Sequence, residues 1–325
     1  MSERELSMAE AIKEAIRHEM HRDANLMLMG QDIGIYGGTF GVYRGLIEEF
    51  GPERVHDCPL SEAATAGFGL GMAINGMPTI VEVGFMDFIT LAMDAIVNQA
   101  AKMRYFFGGK VRVPLVVRTP IASRRGLGSQ HSQSLEAWFM HVPGLHVVAP
   151  SNATDAKGLM LTAIRNGNPT IFIENVRLYA AKAPVAEADE PIPFGQLRIA
   201  REGSDVTIAT YSAMVKPSLE AAANLAKDGI ECEVLDLRTL APLDREGLCA
   251  SVRKTGRLVV VHEAVKTCGA GAEIAQIALE GAFDYLQAPI QRVASRDLPI
   301  PTGLLQDEVF PHAADVEKAV RSIMD

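Results

Sequence analysis

The chain has 325 residues, 48% hydrophobic and 22% charged, with a formal net charge of -9, enough for about two domains with a sizeable core. The acidic balance leaves no basic surface to neutralise phosphates, so nucleic acid is not an expected partner. No segment approaches the ~20 apolar residues that span a bilayer, the first residues lack a signal-peptide core, and Cys58, Cys232, Cys249 and Cys268 form no CxxC pair. Free buried thiols in a reducing cytoplasm, and no membrane contact, are the expectation.

Met8, Ile12, Ile16 and Met20 recur at helical spacing behind Ser7, a capping residue, so a helix is predicted there. The run "NLMLMG" reads as a strand and "GIYGGTFGVYRG" (34–45) as a loop, since glycine is too frequent for either regular element. Next come "RVHDCPL" (strand into loop), a helix from about Ser61, the strand "TIVEV", and a long amphipathic helix from Phe88 to Phe107. The strand "PLVVR" leads to a glycine-bearing loop ending at His131, followed by a helix near Ser134, the strand "LHVVAP", a helix (Ala153 to Arg165) and the strand "PTIFIE". Strands written as continuous apolar runs and alternating with helices indicate a parallel sheet covered on both faces. Between Val176 and Phe194 proline and acidic residues replace periodicity. A second alternating series follows, from "DVTIATYS" to "PIQRVAS". The reading is an α/β chain of two doubly wound domains, 1–176 and 195–325, joined by a linker, 177–194.

The stretch "CPLSEAATAGFGLGMAING" (58–76) contains the first candidate chemistry. Ser61 can cap the helix and Glu62 sits in its first turn, where the helix dipole favours a negative charge. The glycines fall five or more residues inside the helical pattern, whereas a phosphate cradle opens a helix directly after a strand. They read as a smooth packing face. Spacing alone leaves Glu62 as either a solvated first-turn carboxylate or a site residue. His131, in "GSQHSQSLEAW", follows a glycine-bearing loop and can project into a cleft as acid or base, or simply lie on the surface. His262 ends a strand of the second series and takes no assigned role. The chain has no GxSxG, no GxxxxGK[ST], no HExxH and no Cys/His metal set.

Together, the segments "GGTFGVYRGLIEEFGPERVHDCPLSEAATAGFGLGMAINGMPTIVEVGFMDFITLAMDAIVNQAAKMRYFFGGK" and "QHSQSLEAWFMHVPGLHVVAPSNATDAKGLMLTAIRNGNPTIFIEN" resemble a known family. It is the beta subunit of the thiamine-diphosphate-dependent decarboxylating component of 2-oxo acid dehydrogenase complexes, present in pyruvate, branched-chain and acetoin dehydrogenases. The resemblance implies a thiamine-diphosphate pyrimidine-binding domain, then a transketolase C-terminal domain. It also implies an alpha2-beta2 heterotetramer, active only with the alpha subunit, that passes its acyl group to a lipoyl-bearing acyltransferase. Thiamine enzymes hold Mg2+ and diphosphate through a GDG motif, and the chain has none. That half of the cofactor site is expected on the alpha subunit.

By resemblance, Glu62 matches the glutamate that hydrogen-bonds the aminopyrimidine ring, a role suited to a partly buried carboxylate. Phe88 matches the aromatic residue packed on that ring. Gly84 falls where relatives often carry Gln or Met, which would widen the pocket or remove a contact. His131 matches the histidine of the "HSQ" motif, which positions the substrate. Arg124 and Arg125 form a basic pair that could attract a substrate carboxylate or an acidic lipoyl domain, or belong to a solvated loop. A structural K+ ion is implied at Leu115, Ala163, Ile164, Asn166 and Asn168, mostly through carbonyls, with Asn166 where relatives often have Asp. "RYFFGGK" and "HSQSLEAWF" favour pyruvate or acetoin as substrate. The alternatives are a branched-chain 2-oxo acid dehydrogenase, the C-terminal half of a split transketolase-type carboligase, and a non-enzymatic homologue.

Overall fold

The computed structural model describes residues 4–324. The first part of the chain contains β1 (Arg4–Ser7), α1 (Met8–Arg22), β2 (Met27–Gln31), α2 (Leu46–Phe50), β3 (Val55–Cys58), α3 (Glu62–Ile74) and β4 (Thr79–Glu82). It continues with α4 (Ala101–Phe106), β5 (Leu115–Ile121), α5 (Glu136–Met140), β6 (His146–Val148), α6 (Ala153–Arg165), β7 (Thr170–Asn175) and β8 (Lys182–Val185). The remainder holds β9 (Arg198–Arg201), β10 (Val206–Thr210), α7 (Val215–Ala226), β11 (Cys232–Asp236), β12 (Thr239–Ala241) and α8 (Arg245–Thr255). It ends with β13 (Leu258–Val265), α9 (Ala270–Ala282), β14 (Gln291–Ser295) and α10 (Ala313–Arg321).

A seven-stranded sheet runs in the order β12-β6-β7-β5-β4-β2-β3, parallel throughout except at β12. All seven residues of β5 are buried, as a central strand covered on both faces requires. On one face α1 packs along α6. Met8, Ile12, Ile16 and Met20 are fully buried there, and a reciprocal box between Ser7 and Glu10 starts α1 as the sequence suggests. On the other face lies α3 with the segment after β4. The second sheet, β14-β13-β10-β11-β9, is parallel except for the β9 edge. It is covered by α7 and α10 on one face and α8 and α9 on the other.

The two parts are joined by more than a linker. β12 comes from the second series yet adds an antiparallel edge to the first sheet beside β6. One apolar core runs from Ala66, Val81 and Ile89 through to Leu248, Val260 and Ile274. Linker residues also form β8, paired with β1.

The single helix expected from Phe88 to Phe107 is instead three segments. Met86–Ala92 is a 3-10 stretch, Asp94–Ala100 is π-helical, and α4 completes the run. This keeps Ile89, Ala92, Ile96 and Ala100 in the core. Irregular turns of this kind are frequent where a helix serves a site.

Candidate active site

In a doubly wound sheet the carboxyl ends of the parallel strands face a crevice, and four adjacent loops converge there. β4 pairs with both β2 and β5. The glycine-rich loop after β2, the Gly84–Phe88 turn after β4 and the loop after β5 are therefore neighbours, and α3 starts after the adjoining β3.

His131 is half-buried between two phenyl rings. Phe85 lies 4.9 Å away at 82° and Phe88 lies 5.2 Å away at 90°, both edge-on, an arrangement aromatic rings favour. The same turn grips the loop beyond. Asp87 Oδ1 accepts from the Gln133 backbone N–H at 3.3 Å and from its Nε2 at 2.8 Å. The Leu135 amide points to Met86 Sδ at 3.4 Å. Burial pushes the Asp87 carboxyl above its ordinary range against those two bonds from Gln133, because removing water penalises the charged form.

Beneath this turn lies a closed charge network. Arg118 is wholly buried. Its Nε and Nη2 donate to Glu174 at 2.5 and 2.6 Å, and its Nη1 to Glu82 at 2.8 Å. Tyr179 donates to Glu174 at 2.6 Å, and the guanidinium stacks 4.8 Å from the centre of the Tyr43 ring. Burial raises Glu82 against the pull of Arg118. The free oxygen of Glu82 accepts from the Thr39 backbone N–H at 3.3 Å. A Cβ on Gly38, where φ is +85°, would lie 2.6 Å from that oxygen. Glycine is therefore needed for both the turn and the approach, and the loop carries Phe40 to 5.5 Å from Phe85.

Glu62 is the first residue of α3 and is half-buried. Ser61 occupies the capping position, but its hydroxyl makes no capping bond, contrary to the expectation from sequence. Instead, its carbonyl accepts from the Thr65 hydroxyl at 3.0 Å. The helix packs on the 86–92 segment that carries Phe88. The structure thus brings His131 and Phe88 into contact and places Glu62 after β3 and Gly84 after β4, two strands separated by β2. A Cβ at Gly84 would meet the Thr39 hydroxyl, so a larger side chain there requires Thr39 to move. Of the α3 glycines only Gly69 packs within the chain, its would-be Cβ 2.5 Å from Val81, while Gly67 and Gly71 face open space.

The five positions of the implied K+ ion lie elsewhere, at the amino ends of β5 and β7. Leu115 begins β5, Ala163 and Ile164 end α6, and Asn166 and Asn168 form the turn into β7. Asn166 Nδ2 donates to the carbonyls of Ala163 at 2.8 Å and Thr162 at 3.2 Å. Arg124 is also committed internally, to Asp307 at 2.7 Å and the Pro311 carbonyl at 2.8 Å, while Arg125 is exposed. His262 is buried in β13 against Gly269 and Gly271, where burial lowers it to about 4 and keeps it neutral. The four thiols are unpaired but only Cys232 and Cys249 are buried; Cys58 is half-buried and Cys268 exposed. Asp87, Gln133 and the Glu82–Arg118–Glu174 network escaped the sequence reading. The available signal was Asp87 itself, a charge set within an apolar stripe.

Residues 4–182 match the family described as "Transketolase, pyrimidine binding domain", and residues 195–316 match "Transketolase, C-terminal domain". The chain is 47% identical over 320 residues to the pyruvate dehydrogenase E1 component subunit beta of Rickettsia felis, covering 98% of both. It is 44% identical over 332 residues to the acetoin:2,6-dichlorophenolindophenol oxidoreductase subunit beta of Cupriavidus necator, covering 99% of this chain and 98% of that one. In fold it is similar to a split-gene transketolase, solved as an inactive beta4 tetramer, with TM-score 0.81 at 22% identity over 98% of each chain.

Proposed function

The chain belongs to the transketolase-type family of dehydrogenase beta subunits, and from that premise we propose that it works with an alpha subunit and thiamine diphosphate to oxidise pyruvate or acetoin. The observation that carries the reading is the half-buried His131 between Phe85 and Phe88 at the carboxyl ends of β4 and β5.

The residues fit one end of the cofactor. A half-buried carboxylate at the start of α3 and an aromatic wall suit a protonatable aminopyrimidine ring. A diphosphate cradle is not matched, since the α3 glycines lie within the helix. Among the described residues no three His, Cys, Asp or Glu side chains gather as metal donors. Mg2+ and the diphosphate are therefore assigned to the alpha subunit. Thiamine diphosphate supplies the electron sink for cleaving the bond beside the carbonyl.

Glu62 would hold the pyrimidine ring by a hydrogen bond that sets its protonation state, and Phe88 would pack on that ring and orient it. His131 hydrogen-bonds the oxygen of the substrate carbonyl and exchanges a proton with it, a task that imidazole performs near neutral pH. The two phenyl rings restrain the imidazole plane and exclude water from one side of it. Transfer of the two-carbon unit to a lipoyl-bearing acyltransferase completes the turnover. The unit is oxidised to an acyl group as the lipoyl disulfide is reduced, one sulfur taking the acyl group and the other a proton.

The exposed Phe68, Tyr105, Phe106 and Phe107 support a partner face, because apolar surface of that extent marks an interface. No helix among the described residues is long and apolar enough to cross a membrane. Co-expression with the alpha subunit, followed by dye-coupled assays on pyruvate, branched 2-oxo acids and acetoin, tests the reading. Turnover of pyruvate or acetoin supports it. Turnover of branched acids alone, or of none, overturns it.

A further inference from the structure

The loop that presents His131 is held from the opposite side by a strap of the second half, and the sequence holds no local sign of that contact. Leu127 bridges antiparallel to Thr302, and the Gly303 amide donates to the Gly126 carbonyl at 3.2 Å. A Cβ on Gly128 would lie 2.7 Å from Thr302 Cγ2, so the two segments touch there. Arg124 pairs with Asp307 at 2.7 Å and lies 5.4 Å from the centre of the Phe310 ring. At the centre is Gln306, 1% exposed. Its Oε1 accepts from the Gly126 amide at 3.0 Å, and its Nε2 donates to Ser132 Oγ at 3.3 Å. Ser132 is fully buried and adjacent to His131.

We infer that Gln306 is a positioning residue for His131, through which the second half of the chain sets the catalytic loop. This rests on the assignment of His131 above. One amide spans two points six residues apart on the loop, which fixes the loop's curvature as well as its distance. Asp87 holds the far side through Gln133. The imidazole therefore sits between two anchors, one from each half of the chain. Loss of either anchor lets the imidazole drift while leaving both sheets intact. A displacement of about 1 Å at a reacting group costs up to ~100-fold in rate.

The test uses the assembled complex with its alpha subunit and whichever substrate it turns over. Gln306→Leu removes both bonds at similar volume. Gln306→Glu keeps an acceptor for Gly126 and can accept from the Ser132 hydroxyl. The Leu variant should lose about 10- to 100-fold in kcat with KM nearly unchanged, and the Glu variant should recover most of that loss. In a His131→Ala background, Gln306→Leu should cost nothing further, which a merely structural role would not produce. Ser132→Ala breaks the same link from the loop side and stands in if the Leu variant does not fold. If His131→Ala leaves turnover intact, the assignment of His131 fails. If His131→Ala abolishes turnover while both Gln306→Leu and Ser132→Ala retain full kcat, this inference fails alone.

Discussion

The two ends of the seven-stranded sheet are built differently. At the carboxyl ends the loops are tied by charged side chains: Glu82 to Arg118 to Glu174, and Asp87 to Gln133. At the amino ends, around Leu115 and the turn from α6 to β7, they are tied by backbone and amide bonds, such as Val113 to Gly167 and Asn166 to Ala163. Neutral bonds of the second kind are the economical way to close a turn. Burying charges costs free energy unless each is paired. Beneath the end where His131 and Phe88 meet both partners of the network are buried, whereas at the amino ends buried Glu19 pairs with Arg22 and Arg165, which reach solvent. The division separates the region specialised for chemistry from the region specialised for holding shape.

The sharpest way to break this comparison is to remove chemistry while leaving shape. Glu62→Ala and His131→Ala should each lower turnover of the complex by about 10²- to 10⁴-fold, the range for a lost general acid or base. Thermal unfolding should shift little, because neither side chain is fully buried. A large fall in melting temperature alongside lost activity would place these residues with the scaffold instead. Removing shape from the same end is the complement. Arg118→Ala leaves the Glu82 and Glu174 carboxylates buried without their shared cation. It should destabilise the chain by about 3–5 kcal/mol, measured by denaturant unfolding.

Asp87 gives a smaller and pH-dependent effect. Its carboxyl is raised by burial, so the folded state holds the proton more tightly than the unfolded state does. The resulting stability is present at acid pH and is lost as pH rises through the raised value. Asp87→Asn keeps an oxygen for Gln133 but stays neutral. Its stability should match the parent in acid and exceed it at neutral pH. A variant less stable than the parent at neutral pH would show that the charged form is the one the fold selects.

How much of this could be read in advance follows from the range of each interaction. Met8, Ile12, Ile16 and Met20 declared α1 because their spacing and burial are local facts. The apolar run of β5 did the same for the central strand. Glu62 and Phe88 were reached through resemblance, since a first-turn carboxylate and an aromatic stripe are ambiguous by spacing alone. Gln306 was out of reach: its two partners lie 180 and 174 residues away, and nothing in "TGLLQDE" distinguishes it from a surface glutamine. The broken helix after β4 was hidden because a tighter 3-10 stretch followed by a wider π stretch averages close to the α-helical apolar spacing. Ser61 misled in the opposite direction, with a capping residue in the capping place whose hydroxyl is not used.

The smallest expected effect lies at the amino ends, where the family implies a K+ ion. One of the carbonyls such an ion would take, that of Ala163, already accepts the Asn166 amide, so binding must displace a bond worth about 1 kcal/mol. K+ should therefore raise the melting temperature of the parent only slightly. Asn166→Asp removes the competing donor and adds a negative charge beside the same carbonyls. In that variant the ion both repairs the exposed helix end and neutralises the carboxylate, so K+ should stabilise it by about 1–3 kcal/mol at concentrations well above its dissociation constant. Na+ at equal ionic strength is the control, and equal shifts from the two ions would reduce the effect to screening. A parent strongly stabilised by K+ would mean that the Asn166 side chain turns away when the ion arrives, and the amino ends would then bind an ion as well as hold shape.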